Sequence, residues 1–213
     1  MTMTRIWLVR HGETLLNAGG ETYTGWNDHP LTELGVRQAR LTAKRLAGEP
    51  VTQVFSSGLA RAEETARIIA LPHGLKVSAR PSLNEAHYGN WVGRTRTEIE
   101  AEDPDFFASW VRDAEHVRIP GGETFAETTQ RAYNQISQIA YDLPNQTAVV
   151  VAHKAVNRLI LCRILDYPLS EYRQIGQSNC ALNLLLWENG YWLVESINDT
   201  FHLKSLKKKT SLV

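Results

Sequence analysis

Short apolar runs alternate along the chain with stretches in which apolar residues recur every three or four positions. Ile6–Val9, Gln53–Ser56, Val77–Ala79 and Ala148–Ala152 read as strands. The last is Ala-Val-Val-Val-Ala, without a polar residue, as in a strand covered on both faces. Between them lie helical patterns. Thr32 is placed to cap a helix carrying Leu34, Ala39, Ala43 and Leu46, which Gly48 and Pro50 stop. Leu59–Ala70 and Thr124–Tyr141 repeat apolar residues at helical spacing, and a fourth helix runs from near Lys154 to Leu165. Ala181–Trp187 and Tyr191–Ile197 flank Glu188-Asn189-Gly190, a hairpin signal. The alternation predicts an α/β protein with a mostly parallel sheet. Residues 86–122 interrupt it with Trp, Gly, Arg and acids and two short helical pieces around Pro104, read as an insertion over one end of the sheet.

Length and composition narrow this picture. At 213 residues, 43% hydrophobic and 22% charged, the chain is an ordinary soluble globular protein. Such a chain buries roughly 70% of its extended surface, so it needs neither disulfide nor metal to hold a core. Residues 1–203 are read as a single domain and 204–213 as a basic tail, frayed and solvated, holding Lys204, Lys207, Lys208 and Lys209. Lys+Arg and Asp+Glu balance at 23 each, which argues against a nucleic-acid partner. Cys162 sits in an apolar run and reads as a core residue; two cysteines make no disulfide framework. The first apolar run is far too short to span a bilayer, and nothing before it reads as a secretory leader. The expectation is a cytoplasmic protein with no membrane partner; a homodimer is left open.

Ligands of open α/β sheets bind at the carboxyl ends of the strands, so the residues that follow each strand are informative. Arg10 and His11 follow the first, Arg61 opens the helix after the second, Leu83-Asn84-Glu85 follows the third, and His153 the fourth. Two histidines, two arginines and one carboxylate thus reach one rim. Converging cations are unfavourable unless an anion joins them, and arginine forks suit phosphate oxygens. No G-x-x-x-x-G-K-[ST], G-x-G-x-x-G or G-x-S-x-G motif is present, neither cysteine precedes an arginine loop, and the seven histidines lack short metal-ligand spacing. Histidine itself remains as the group to attack phosphorus.

Leu8-Val9-Arg10-His11-Gly12-Glu13-Thr14 with Asn17 resembles the signature of the histidine phosphatase superfamily, the phosphoglycerate mutase-like group. Further matches follow in order: Thr24-Gly25-Trp26-Asn27-Asp28, Pro30-Leu31-Thr32-Glu33-Leu34-Gly35, Ser56-Ser57-Gly58-Leu59-Ala60-Arg61-Ala62, Leu83-Asn84-Glu85 and Val151-Ala152-His153. The resemblance implies a three-layer α/β/α sandwich around a mostly parallel mixed sheet. It implies that His11 becomes phosphorylated, that Arg10, Arg61 and His153 form the phosphate pocket with Asn17 a further contact, and that Glu85 donates the proton. No cofactor or metal is called for, and the expected partner is a small-molecule phosphomonoester. Flanking guanidiniums keep His11 neutral and offset charge on the transferring oxygens.

Within that family, Gly25-Trp26, Asn84 to Gly89 and Pro120-Gly121-Gly122-Glu123 resemble the mutases. The short insertion, and Lys154-Ala155-Val156-Asn157-Arg158 in place of Gly-Asn-Ser, do not. Together with Gln177-Ser178-Asn179-Cys180 that stretch is most similar to phosphatases acting on carboxylated sugar phosphates such as carboxyarabinitol phosphate. A metal-independent phosphatase for a sugar phosphate or phosphorylated sugar acid is therefore expected. A cofactor-dependent phosphoglycerate mutase and a silent phosphate-binding regulatory domain are the alternatives. Thr24 and Gly25, together with His87, Tyr88, Arg94 and Arg96 just past Glu85 and Lys154 after the second histidine, are the candidates to read the organic part of the substrate. Trp91, Trp110, Tyr88, Phe106 and Phe107 are expected to pack the insertion onto the sheet.

Overall fold

The computed structural model describes residues 3–19 and 22–206. In chain order the elements are β1 (Met3–Arg10), α1 (Leu15–Ala18), α2 (Glu33–Leu46), β2 (Val51–Ser56), α3 (Ala60–Ala70), β3 (Val77–Ala79), α4 (Arg96–Glu102), α5 (Pro104–Arg112), α6 (Phe125–Asp142), β4 (Thr147–Ala152), α7 (Lys154–Ile164), β5 (Leu182–Glu188) and β6 (Tyr191–Asp199). The six strands form one sheet ordered β3-β2-β4-β1-β5-β6. β3, β2, β4 and β1 run parallel, while β5 is antiparallel to β1 and to β6. A mostly parallel mixed sheet with helices on both faces is the expected architecture, and it is found.

The period-two alternation of the strands divides the core. Ile6 and Leu8 of β1 and Ala148, Val150 and Ala152 of β4 pack against α6 and α7. Trp7, Val9, Val149 and Val151 face the other way, against α2 and α3. All six residues of β4 are buried, and past Thr147 at its start every one is apolar. The helices begin where the caps predict. Thr32 accepts from Gly35 N–H at 3.0 Å, and Thr124 and Glu127 form a reciprocal capping box at the start of α6. Asn189 and Gly190 both adopt left-handed φ, 51° and 87°, as a tight hairpin turn of that type requires.

Residues 86–122 contribute an aromatic cluster of their own. Trp91, Phe107, Trp110 and Tyr88 are buried together with Phe125 at the start of α6 and Leu159 of α7, so the aromatic side chains fasten the insertion to these two helices instead of to the sheet. Tyr23 joins it edge-on, 4.9 Å from Tyr88 between ring centroids. At the C-terminus the expectation of a frayed tail is corrected for residues 204–206 alone. Residues 201–206 form a 3-10 turn whose Leu203 is buried with Ala39 of α2, and Lys204 lies over the ring of Phe201 at 3.8 Å. Lys207, Lys208 and Lys209 lie outside the described residues.

Two glycines bring α2 against the chain just after β1. A Cβ on Gly12 would stand 2.6 Å from Gly35 O, and one on Gly35 would fall on Glu13 O. Neither neighbour is a flexible side-chain end; both are backbone. Gly35→Ala is therefore expected to cost about 1–3 kcal/mol of stability, as overpacking does, read from the urea midpoint of unfolding. A cost within experimental error would show that α2 docks loosely.

Candidate active site

The register of the parallel strands builds the site. Arg10 at the end of β1 is level with Ala152 at the end of β4, so the next residue of each strand, His11 and His153, emerges side by side. Their ring centroids are 5.2 Å apart and both side chains are buried. His11 Nδ1 lies 2.7 Å from Gly12 O. A carbonyl only accepts, so that nitrogen carries the hydrogen and Nε2 keeps its lone pair. Burial, then the charges of Arg10 and Arg61, hold the imidazole well below its ordinary pKa against the pull of that carbonyl. His153 opens α7. Its Nε2 is 2.7 Å from Ser57 Oγ, which follows β2 and also accepts from Leu59 N–H at 3.3 Å. His153 Nδ1 is buried and meets no hydrogen-bonding partner among the described residues. Burial, Arg61, His11 and Arg10 depress this ring as well.

Two guanidiniums flank the pair. Arg10 donates through Nη1 to Gln177 O at 2.8 Å, while its Nε is buried without a partner among the described residues. Burial brings Arg10 down to about 10, which leaves it charged at neutral pH. Arg61, in the first turn of α3, is almost wholly buried. It donates to Asn27 O at 3.0 Å and to Gly25 O at 2.7 Å, and lies 3.4 Å from Asp28. Asp28 also accepts from Ala60 N–H and thereby caps α3. Arg61 thus holds the 25–28 loop as well as facing the site.

The acid arrives on irregular chain. Glu85 follows the 3-10 turn Pro81–Leu83, and its carboxylate takes the place of a cap on α7. Oε1 accepts from Ala86 N–H at 3.0 Å and Val156 N–H at 3.2 Å, and Oε2 from Ala155 N–H at 3.3 Å. Beside these groups opens a cavity of about 510 Å³ with Arg10, His11, Arg61 and Glu85 in its wall. His153, fully buried, is not part of that wall.

The remaining candidates divide. Asn17, Thr24, Tyr88, Arg96 and Lys154 line the cavity. Gly25 does not; at φ +51° it serves instead to turn its carbonyl onto Arg61. His87 and Arg94 are corrected. His87 packs edge-on against Trp26, centroids 4.9 Å apart, and its Nδ1 accepts from Gly89 N–H at 3.2 Å. Arg94 pairs with Glu102 within the insertion, and neither lines the cavity. Two further arginines do line it, Arg158 and Arg173. Arg158 had a legible signal, since it follows Lys154 by four residues on one face of α7. Arg173 had none; it lies on a 3-10 turn, Leu169–Gln174, that packing brings back to the site.

The sequence model of the histidine phosphatase superfamily (branch 1) matches residues 6–200. The chain belongs to that superfamily. A relative in Yersinia pestis (strain Pestoides F), named "Probable phosphoglycerate mutase GpmB", is 34% identical over 207 residues, covering 94% of this chain and 95% of that protein. Among solved structures, Bacillus stearothermophilus YhfR superposes with a TM-score of 0.87 at 30% identity, covering 94% of this chain and 100% of the other. A mycobacterial glucosyl-3-phosphoglycerate phosphatase superposes at 0.82 with 27% identity, covering 93% of this chain and 100% of that one. Proteins similar to this chain in sequence and in shape thus carry both mutase and phosphatase names.

Because both histidines are held neutral, the unfolded chain takes up protons that the folded one refuses below about pH 6.5. Stability is therefore expected to fall as pH drops through that value, by up to about 1.4 kcal/mol per pH unit for each histidine. Urea unfolding at about pH 7 and about pH 5.5 should give a shallower dependence for His153→Gln than for the native chain. Equal slopes would mean that His153 titrates normally.

Proposed function

We propose that this protein is a metal-independent phosphomonoester hydrolase working through a phosphohistidine at His11. The observation that carries the reading is an uncharged imidazole, its Nε2 lone pair unused by the backbone, between two buried guanidiniums and beside a carboxylate. Nε2 attacks phosphorus while the bond from phosphorus to the leaving oxygen breaks, and Glu85 gives that oxygen its proton. Water then attacks the phosphohistidine, Glu85 takes the proton back, and the P–N bond breaks to release phosphate and restore the ring. Arg10 and Arg61 offset charge on the equatorial oxygens, while His153 packs against His11 from outside the cavity wall.

The outer cavity favours a substrate with a second anionic group. Arg96, Lys154, Arg158 and Arg173 line it beyond the two phosphate arginines, and Glu85 is the one acid in the wall among the described residues. A phosphorylated sugar acid fits such a rim. The names glucosyl-3-phosphoglycerate phosphatase and phosphoglycerate mutase among its relatives are consistent with that class. The second reading, a mutase, is favoured by the name of the Yersinia relative.

Assayed with an aryl phosphate in excess chelator, the protein is expected to release phosphate, and His11→Ala to reduce release to background. A chain that binds phosphate but turns over no phosphomonoester would be a silent domain. The phosphohistidine is expected to decay in water within the turnover time. Slow decay, accelerated by 3-phosphoglycerate, would make the protein a mutase.

A further inference from the structure

The segment carrying Glu85 has no regular structure of its own. From the turn Pro81–Leu83 it runs through Asn84 to Tyr88 outside any helix or strand. Backbone carbonyls outside a ladder need partners from elsewhere. Here they come from one side chain of α6. Arg131 Nη1 donates to Ser82 O at 2.8 Å and to Asn84 O at 2.7 Å, and Nη2 donates to Glu85 O at 3.0 Å. Glu123 grips the same guanidinium in a fork, Nε to Oε1 and Nη2 to Oε2, each at 2.7 Å. Every one of the five N–H donors of Arg131 is engaged.

The clamp extends past the acid. Glu123 Oε2 accepts from His87 N–H at 3.0 Å and from the Thr128 hydroxyl at 3.2 Å, and Glu123 N–H donates to His87 O at 2.8 Å. Burial pushes the Glu123 carboxyl up, but Arg131, His87 N–H and Thr128 together bring it below its ordinary value, so it stays charged. Trp26 Nε1 donates to Glu85 O at 2.6 Å, so this carbonyl is held by two donors. The chain is thus fixed on both sides of Glu85.

We propose that Arg131, locked by Glu123, is a positioning residue that sets the reach of the Glu85 carboxyl to the leaving oxygen. This rests on the reading of Glu85 as proton donor. A lysine cannot replace it in kind, because three donors on a point charge do not span three carbonyls and a carboxylate.

The test compares kcat/KM for an alkyl phosphomonoester, glycerol phosphate, with that for 2,4-dinitrophenyl phosphate. An alkoxide needs a proton to leave and dinitrophenolate does not, whereas general loss of structure lowers both alike. Glu85→Gln is expected to lower the alkyl ester by about 10²–10⁴-fold and the aryl ester far less. Arg131→Met is expected to show the same bias, about tenfold or more, and to add little in the Glu85→Gln background. Arg131→Lys should fall between. If Arg131→Met does not fold by circular dichroism, Arg131→Lys and Glu123→Gln carry the same comparison. Equal losses on both esters, no loss on either, or full additivity with Glu85→Gln would overturn the positioning role. A Glu85→Gln variant without leaving-group bias would overturn the reading of Glu85, and the clamp with it.

Discussion

Two imidazoles stand ring to ring at the carboxyl end of the sheet because β1 and β4 run parallel with Arg10 level with Ala152. Everything else at the site depends on that register. A slip of one residue along either strand would send its side chains to the opposite faces and separate the pair. The strands resist such a slip because each face of β4 is buried in a different apolar layer, one against α6 and α7, the other against α2 and α3. The core therefore does more than stabilise the fold. It fixes where His11 and His153 meet.

Bringing charge to that meeting point is unfavourable, and the surrounding backbone offsets it. Arg61 is buried with its Nη groups on the carbonyls of Gly25 and Asn27 and near Asp28; Arg10 reaches Gln177 O. Most of these acceptors are neutral carbonyls, with Asp28 the charged exception, so burial and the remaining field of the two arginines together keep His11 and His153 unprotonated. A ring of carboxylates would have held the arginines as well and destroyed that effect. Glu85, a carboxylate in the cavity wall, is itself engaged by the amides of the first turn of α7.

The contrast between histidines and acid is instructive. The histidines inherit their positions from a sheet, whose ladder is rigid. Glu85 sits on chain without a ladder, and a guanidinium from α6, anchored by Glu123, supplies the missing hydrogen bonds. Irregular chain gives the acid freedom of direction that a strand would not, at the cost of needing an external brace.

The strands, the mostly parallel sense of the sheet, the helix starts at Thr32 and Thr124 and the hairpin at Asn189-Gly190 were legible from the sequence, since each depends on periodicity, capping or turn chemistry. So were the residues placed directly after strands, because the end of a parallel strand is where an open sheet presents its side chains. The roles of His87, Arg94 and Arg173 were not legible. His87 and Arg94 follow Glu85 closely, yet Trp26 and Glu102 take them away from the cavity. Arg173 is twenty residues past His153 and returns to the site because the turn carrying Tyr172 packs into the aromatic cluster. Arg131 was likewise silent, a polar position on an amphipathic helix whose partners lie almost fifty residues earlier. Periodicity reports which face of an element is buried. Which polar groups then meet across that burial is decided by how the elements pack, and that information is non-local.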